Sequence, residues 1–311
     1  MFRGESERFN STRFPPTIGR SFSFGPVRML QSQLFLTVAM NAVTELTHSK
    51  LRACPLCGSS ADRKLVLRRE PWEIIECAAC GMIFIGSEIP YQVQAREHDW
   101  EEEWRKDSAR RKTEQPVMVF LSRCTRPLLP HTHGRLLSQT LHYARSGKLV
   151  DFGCSDASFL VRAIKHFQVL GIELSPRSVE IARRRVGAEK ILEGPVTEVA
   201  ERRLPPSQFD VVTQLGFIEH DWHPQAALRA AHRLLKPGGI TVIKCPNYAS
   251  WNRHIRGERW CGYRLPAHCN YFTPETLSQM LRQCEFEPIP RPLADRLPTS
   301  DSLWMAARKP V

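Results

Sequence analysis

A chain of 311 residues can bury a full α/β domain and still carry a small additional module. Its longest apolar run, Leu34 to Val43, is interrupted by Thr37 and Asn41 and falls short of the roughly 18 residues a membrane helix needs, so no membrane partner is expected. The net charge of +12 permits acidic partners, nucleic acid among them, but Arg and Lys are scattered, which reads as a basic solvated surface; ten cysteines, four at metal spacing, suit a reducing cytoplasm better than a secreted disulfide scaffold.

Residues 1–49 are expected to be a disordered leader, rich in Phe, Ser, Arg and Pro through residue 45. Glu5 and Glu7 break the acid-poor pattern of a targeting peptide. The reading is an upstream start codon, with Met40 as the functional start.

Residues 50–86 carry Cys54-Pro-Leu-Cys57-Gly58 and Cys77-Ala-Ala-Cys80-Gly81, with 19 residues between the pairs. Two C-x₂-C pairs at this spacing predict a four-thiolate zinc ribbon. Each glycine lets the backbone turn so that N–H groups face the sulfurs. Strands are expected at Lys64–Leu67, Trp72–Glu76 and Met82–Ile85. Such a sheet is too small for its own core, so Zn2+ would be structural; four thiolates leave no position for substrate water. Trp72 is expected in the ribbon core rather than as a base-stacking platform.

Residues 87–147 read as a helical linker or lid. Trp100 and Trp104 share a face at i, i+4, Tyr91 is expected as a packing residue with a place over a bound ligand as the alternative, and Leu136–Tyr143 is expected as the helix entering the next domain.

From residue 148 to 311 strands and helices alternate. Leu149–Phe152 is a strand, Gly153, Ser155 and Ala157 form a tight turn, Ser158–His166 a helix with Phe159, Leu160, Val161 and Ile164 as apolar positions, and Val169–Ile172 a strand ending at Glu173. Small turn residues let the backbone approach a ligand, and an acid about 20 positions past the turn can accept both hydroxyls of a ribose. The unit is either a nucleoside-cofactor site or only a turn. Further on come a helix from Pro176 to Arg185, strands at Lys190–Leu192 and Phe209–Thr213, and a helix from Pro224 to Leu235 stopped by Lys236-Pro-Gly-Gly239. Ile240–Lys244 is a strand, Thr273 starts a helix over Glu275–Cys284, and Phe286–Ile289 and Leu303–Ala307 are the last strands.

In this order the pieces resemble a class I S-adenosylmethionine-dependent methyltransferase, and more narrowly the bacterial group that joins an N-terminal zinc ribbon to such a domain. The resemblance rests on Leu149-Val-Asp-Phe-Gly-Cys-Ser155, Gly171-Ile-Glu-Leu-Ser-Pro176, Gln208-Phe-Asp-Val-Val212, Phe217-Ile-Glu-His220, Leu234-Leu-Lys-Pro-Gly-Gly239, Cys245-Pro-Asn247 and Pro266-Ala-His-Cys-Asn-Tyr-Phe272, and covers roughly residues 50 to 309. It implies an α/β, Rossmann-like seven-stranded sheet, mostly parallel with an antiparallel last strand. It implies S-adenosyl-L-methionine as cofactor, held by Asp151, Gly153, Cys154, Ser155, Glu173, Leu174 and Gln214, with Gln214 and Leu215 just beyond the fourth strand of that sheet. The family loop carries glycine where this chain has Ser155 and Ala157. After Glu193-Gly194-Pro195 no acid stands ready for the adenine amine, which leaves backbone near Val196 and Thr197.

Methyl transfer needs a general base only for a hydroxyl or protonated amine acceptor. His220 and His268 are the catalytic candidates, each with a purely structural hydrogen-bonding role as the alternative. Trp251, Trp260, Tyr263 and Tyr271 are expected to shape the acceptor pocket. The acceptor is expected to be a small molecule or a sugar or glycan precursor, methylated on oxygen or carbon. The rivals are an RNA methyltransferase gripping nucleic acid through the ribbon, a non-catalytic zinc protein with a relic cofactor fold, and a nicotinamide dehydrogenase, which would not account for Phe217–His220 or the antiparallel finish. Oligomeric state is not legible.

Overall fold

The structure, a computed structural model, describes residues 51–87, 132–292 and 298–311, together with positions 109, 113 and 295. The expected leader and the linker residues Tyr91, Trp100 and Trp104 lie outside the described residues.

The ribbon supplies β1 (Arg63–Arg69), β2 (Trp72–Cys77) and β3 (Ile83–Ile85). Next come α1 (Thr132–Tyr143), β4 (Gly147–Phe152), α2 (Leu160–Ala163), β5 (Phe167–Glu173), α3 (Pro176–Val186), β6 (Ile191–Glu193), α4 (Val196–Arg203), β7 (Phe209–Leu215) and α5 (Pro224–Leu234). The chain finishes with β8 (Leu235–Pro246), α6 (Trp251–Arg256), β9 (Asn270–Tyr271), α7 (Pro274–Gln283), β10 (Glu287–Pro288) and β11 (Ser302–Arg308).

Seven strands form one sheet in the order β10-β11-β8-β7-β4-β5-β6. Neighbours from β8 to β6 pair in parallel, and β11 runs antiparallel to both β8 and β10, as the resemblance implied. Strand order reverses at β4, which has β5 on one side and β7 on the other. The carboxyl ends of β4 and β7 therefore flank the crevice where open α/β sheets take ligands.

The period of two decides what each sheet face buries. Val150, Phe152, Ile172, Val212, Ile243 and Met305 pack with α4, α5 and α7. The alternate residues Leu149, Val169, Val211, Val242 and Trp304 pack with α1, α2 and α3 on the other face. At α7 the start signal is a full capping box: Thr273 Oγ1 accepts from Thr276 N–H and Thr276 Oγ1 from Thr273 N–H.

The ribbon strands form an antiparallel sheet in the order β1-β2-β3-β9, so its fourth strand comes from the far end of the α/β domain. Cys54, Leu56, Ile75, Met82 and Phe84 join the core of one sheet face. Leu67, Ile74 and Ile83 pack against Tyr248, Trp260, Tyr263 and Tyr271. The aromatic residues expected to shape an acceptor pocket thus form a core with the ribbon; Trp251 alone of that set is exposed. Trp72 packs, half-buried, beside Ile85, Trp222 and Cys269.

Two elements differ from expectation. The helix expected over Ser158–His166 is reduced to the four residues of α2, because Val161 and Ile164 face solvent and no continuous apolar stripe exists to bury it. Lys236-Pro-Gly-Gly239 does not precede the next strand but lies within β8. It is accommodated by a register irregularity between the Phe209–Leu235 and Val211–Ile240 pairs, and Lys236 Nζ ties the segment to Asp210 Oδ1 at 2.7 Å.

Candidate functional site

The turn after β4 keeps a glycine-like backbone. Gly153, Ser155 and Ala157 have φ of 67°, 48° and 60°. A left-handed backbone costs a non-glycine residue about 1–2 kcal/mol, so Ser155 and Ala157 hold it under constraint. The constraint is visible. Glu173, at the end of β5, accepts the Ser155 N–H through Oε2 at 2.8 Å, and the Leu174 and Ser175 N–H groups through Oε1 at 2.9 and 2.8 Å. Burial pushes the Glu173 carboxyl up from its ordinary range, and these three donors oppose the shift.

Asp151 stands opposite Thr213 across the β4–β7 pair and accepts its hydroxyl at 2.7 Å. Burial pushes Asp151 up to about 7, against the Thr213 hydrogen bond and with help from the Glu173 charge. Gln214 lies inside β7 rather than beyond it; its Nε2 donates to Thr241 Oγ1 at 3.4 Å, and its Oε1 is buried with no hydrogen-bond partner among the described residues. The Cys154 side chain is buried, and a β-carbon at Gly171 would lie 2.5 Å from its Sγ. What Cys154 offers a ligand is therefore backbone. Phe217 covers the turn so closely that a β-carbon at Gly153 would sit 2.8 Å from its ring.

His220 and His268, far apart in sequence, meet with ring centroids 4.7 Å apart. His220 Nδ1 bonds the Ala267 carbonyl at 2.8 Å, and His268 Nδ1 the Gly262 carbonyl at 2.7 Å. Burial drives His268 well below the ordinary histidine range, reinforced by His220 and Arg264. Glu219 joins them, and one ligand atom from each of the three lies within 4.8 Å of the others. Burial pushes Glu219 up to about 7, opposed by Lys244 and Arg264, and its Oε2 has no hydrogen-bond partner among the described residues.

Cys54, Cys57, Cys77 and Cys80 form a second such cluster. Their knuckles close through Gly58 N–H to Cys54 O at 2.9 Å and Gly81 N–H to Cys77 O at 2.8 Å, with φ of 74° and 70° at the two glycines. Cys54 and Cys80 sulfurs lie 3.5 Å apart, and those of Cys57 and Cys77 3.6 Å. Four thiolates about 2.3 Å from a tetrahedral ion would stand about 3.8 Å apart, so the cluster fits one zinc.

Ribbon and histidine pair are linked. The buried Arg52 guanidinium donates to the carbonyls of Cys269 and Trp222 at 3.0 and 2.7 Å and to Asn270 Oδ1 at 2.9 Å. Asn270 Nδ2 in turn donates to Ile218 O and Asp221 O, bracketing Glu219 and His220. Sequence reasoning gave no site role to Arg52, Thr213, Glu219 or Asn270. Glu219 had a signal, a carboxylate next to His220 after a buried strand; Arg52 had none beyond its place near Cys54.

Among named relatives, a ubiquinone biosynthesis O-methyltransferase of Cereibacter sphaeroides is 28% identical over 153 residues, covering 46% of this chain and 62% of the relative. One from Bordetella pertussis is 33% identical over 156 residues, covering 46% and 64%. The chain thus spans less than two thirds of the length of these relatives. A solved SAM-dependent methyltransferase from Archaeoglobus fulgidus aligns with a TM-score of 0.47 and 16% identity, covering 62% of this chain and 100% of that one. Residues 128–290, just over half of the chain, match the profile described as a methyltransferase domain, and the chain belongs to that family.

Proposed function

We propose that this chain transfers a methyl group from S-adenosylmethionine to a hydroxyl oxygen of a small molecule, and that Zn2+ in the four-cysteine cluster holds the ribbon in place. One observation carries the reading: at the strand-order reversal, the Ser155 N–H and the Glu173 carboxylate are bound together below a turn of left-handed residues. The bound cofactor supplies an electrophilic methyl on a sulfonium.

The chain's residues divide the remaining work. Glu173 has about four acceptor positions. Three backbone N–H groups fix its orientation, which leaves capacity for a ribose hydroxyl. Asp151, ionised, faces the cationic end. Gln214 Oε1, a buried acceptor without a partner among the described residues, suits an ammonium group. Phe217 closes over Gly153 and excludes water. The Val196 and Thr197 N–H groups at the start of α4 remain the candidates for the adenine edge.

The relatives named for O-methylation in ubiquinone biosynthesis favour a small hydroxyl-bearing acceptor over RNA, and oxygen over carbon. Among the described residues no helix is long and apolar enough to cross a membrane, and four thiols gathered into a zinc cluster suit a reducing cytoplasm. Calorimetric titration with S-adenosylmethionine tests the reading. The expected result is saturable binding, weakened about 100-fold in Glu173→Ala through the loss of charge-assisted hydrogen bonds. Undiminished affinity in that variant, or no binding by the native chain, overturns it.

A further inference from the structure

The geometry points to a second metal site, separate from the ribbon, in which Glu219, His220 and His268 bind one divalent transition-metal ion. Three observations carry it. First, one ligand atom from each residue lies within 4.8 Å of the other two. Ligands about 2.1 Å from one ion stand about 3–4 Å apart, so the set needs a contraction of about 1 Å.

Second, the tautomer is fixed. A backbone carbonyl only accepts, so His220 Nδ1 at 2.8 Å from Ala267 O and His268 Nδ1 at 2.7 Å from Gly262 O each carry the proton. The lone pair of each neutral ring is then at Nε2. A carbonyl behind a ligating imidazole is the usual outer support of a metal histidine. Third, Glu219 is 2% exposed and its Oε2 has no hydrogen-bond partner among the described residues. Lys244 and Arg264 act on this carboxyl through charge alone; a buried carboxylate oxygen without a donor is costly, and a bound cation would answer it directly.

The set is also preorganised. The Glu219 carbonyl accepts the N–H groups of Cys269 and Asn270, at 2.9 and 3.1 Å, which joins the segment after β7 to the one carrying His268. Two imidazoles and one carboxylate suit zinc, iron, cobalt or manganese rather than calcium, and three protein ligands leave positions open. Glu219 Oε1 lies 3.6 Å from where a β-carbon at Gly216, the residue after β7, would stand, which puts this ligand beside the carboxyl end of β7.

There the ion would bind the acceptor hydroxyl and lower its pKa. The hydroxyl proton goes to water, the oxygen forms its bond to the methyl carbon, and the carbon–sulfur bond breaks to leave a neutral thioether. That step rests on the methyl-transfer reading; binding of the ion does not.

The test is titration of the metal-stripped, reduced full-length chain with Co2+. The native chain is expected to take two equivalents, one with the intense thiolate-to-cobalt absorption of the four cysteines and one without it. Glu219→Gln and His220→Ala are each expected to keep the first and lose the second, the thiolate band certifying that the variant is folded. Saturation of the native chain at one equivalent, or a second equivalent that survives both substitutions, overturns the site. S-adenosylmethionine titration of the same preparations is read separately: a second cobalt equivalent with no cofactor binding sinks the methyl-transfer reading and leaves the site standing.

Discussion

The Arg52 guanidinium, on the strandless lead-in to the ribbon, donates to the Cys269 carbonyl one residue beyond His268. It also lies over the Trp222 ring at 4.7 Å from the centroid. A cation with several hydrogen bonds and a ring beneath it is expensive to remove, because its acceptors stay buried. Arg52→Met is expected to destabilise the fold by about 2–4 kcal/mol. Thermal unfolding checks this, and a melting temperature equal to that of the native chain would contradict the role given to the bond.

Removal of metal from the cysteine cluster should act on the same region. The ribbon packs Met82 and Phe84 into the main core and pairs β3 with β9, so a strong chelator is expected to lower the melting temperature and to loosen residues 268–272. Hydrogen exchange of the Cys269 and Asn270 amides, which bond the Glu219 carbonyl, reads that loosening directly. Exchange confined to residues 51–87 after chelation would show the ribbon to be an independent appendage.

If Asp151 holds the cofactor as proposed, stability and binding should depend on pH in opposite senses. Its carboxyl sits near 7 in the fold, mainly through burial, against an ordinary 3.8. Between those values the folded chain holds a proton that the unfolded chain has released, so this group's contribution to stability declines as pH rises from about 4 to about 7 and is flat above. Under the proposed function cofactor affinity needs the ionised form and should rise over the upper part of that window. Melting curves and calorimetry at pH 6 and 8 check both trends. Asp151→Asn is expected to lessen the slope of each, and slopes equal to the native chain's would assign the dependence elsewhere.

Ser155 is exposed and holds a φ of 48°. Ser155→Gly removes the left-handed penalty of about 1–2 kcal/mol and returns about half of it as unfolded-state entropy. A gain of up to about 1 kcal/mol is expected, with cofactor affinity kept. Ser155→Val, β-branched in the same conformation, is expected to lose stability and affinity together. Equal melting temperatures for the two variants would mean that the turn relaxes out of this conformation.

What was legible in the sequence was whatever rests on periodicity and on short-range spacing. The short apolar runs at Leu149–Val150 and Val211–Val212, which the structure buries on opposite sheet faces, placed the strands, and C-x₂-C-Gly placed both knuckles with their left-handed glycines. The Ser155 and Ala157 departures left the turn in question, because composition cannot show that Glu173 clamps it from the next strand. Contacts over long separations were out of reach. Nothing local announces that Asn270–Tyr271 will complete the ribbon sheet, that His220 will meet His268, or that Trp260 and Tyr263 will be buried against Leu67 and Ile74. The four-residue α2 was overestimated because its apolar residues were counted before their exposure could be known.

The borrowed strand has a practical meaning for anyone who recombines this chain. A cut near residue 87 would strip Ile83 and Phe84 of their partners Tyr271 and Asn270, baring an unpaired apolar edge on each fragment and inviting aggregation. A graft that transplants the cysteine knuckles into a cousin must carry residues 270–271 and Arg52 along with them. The heritable unit is thus discontinuous along the gene, although it is contiguous in space.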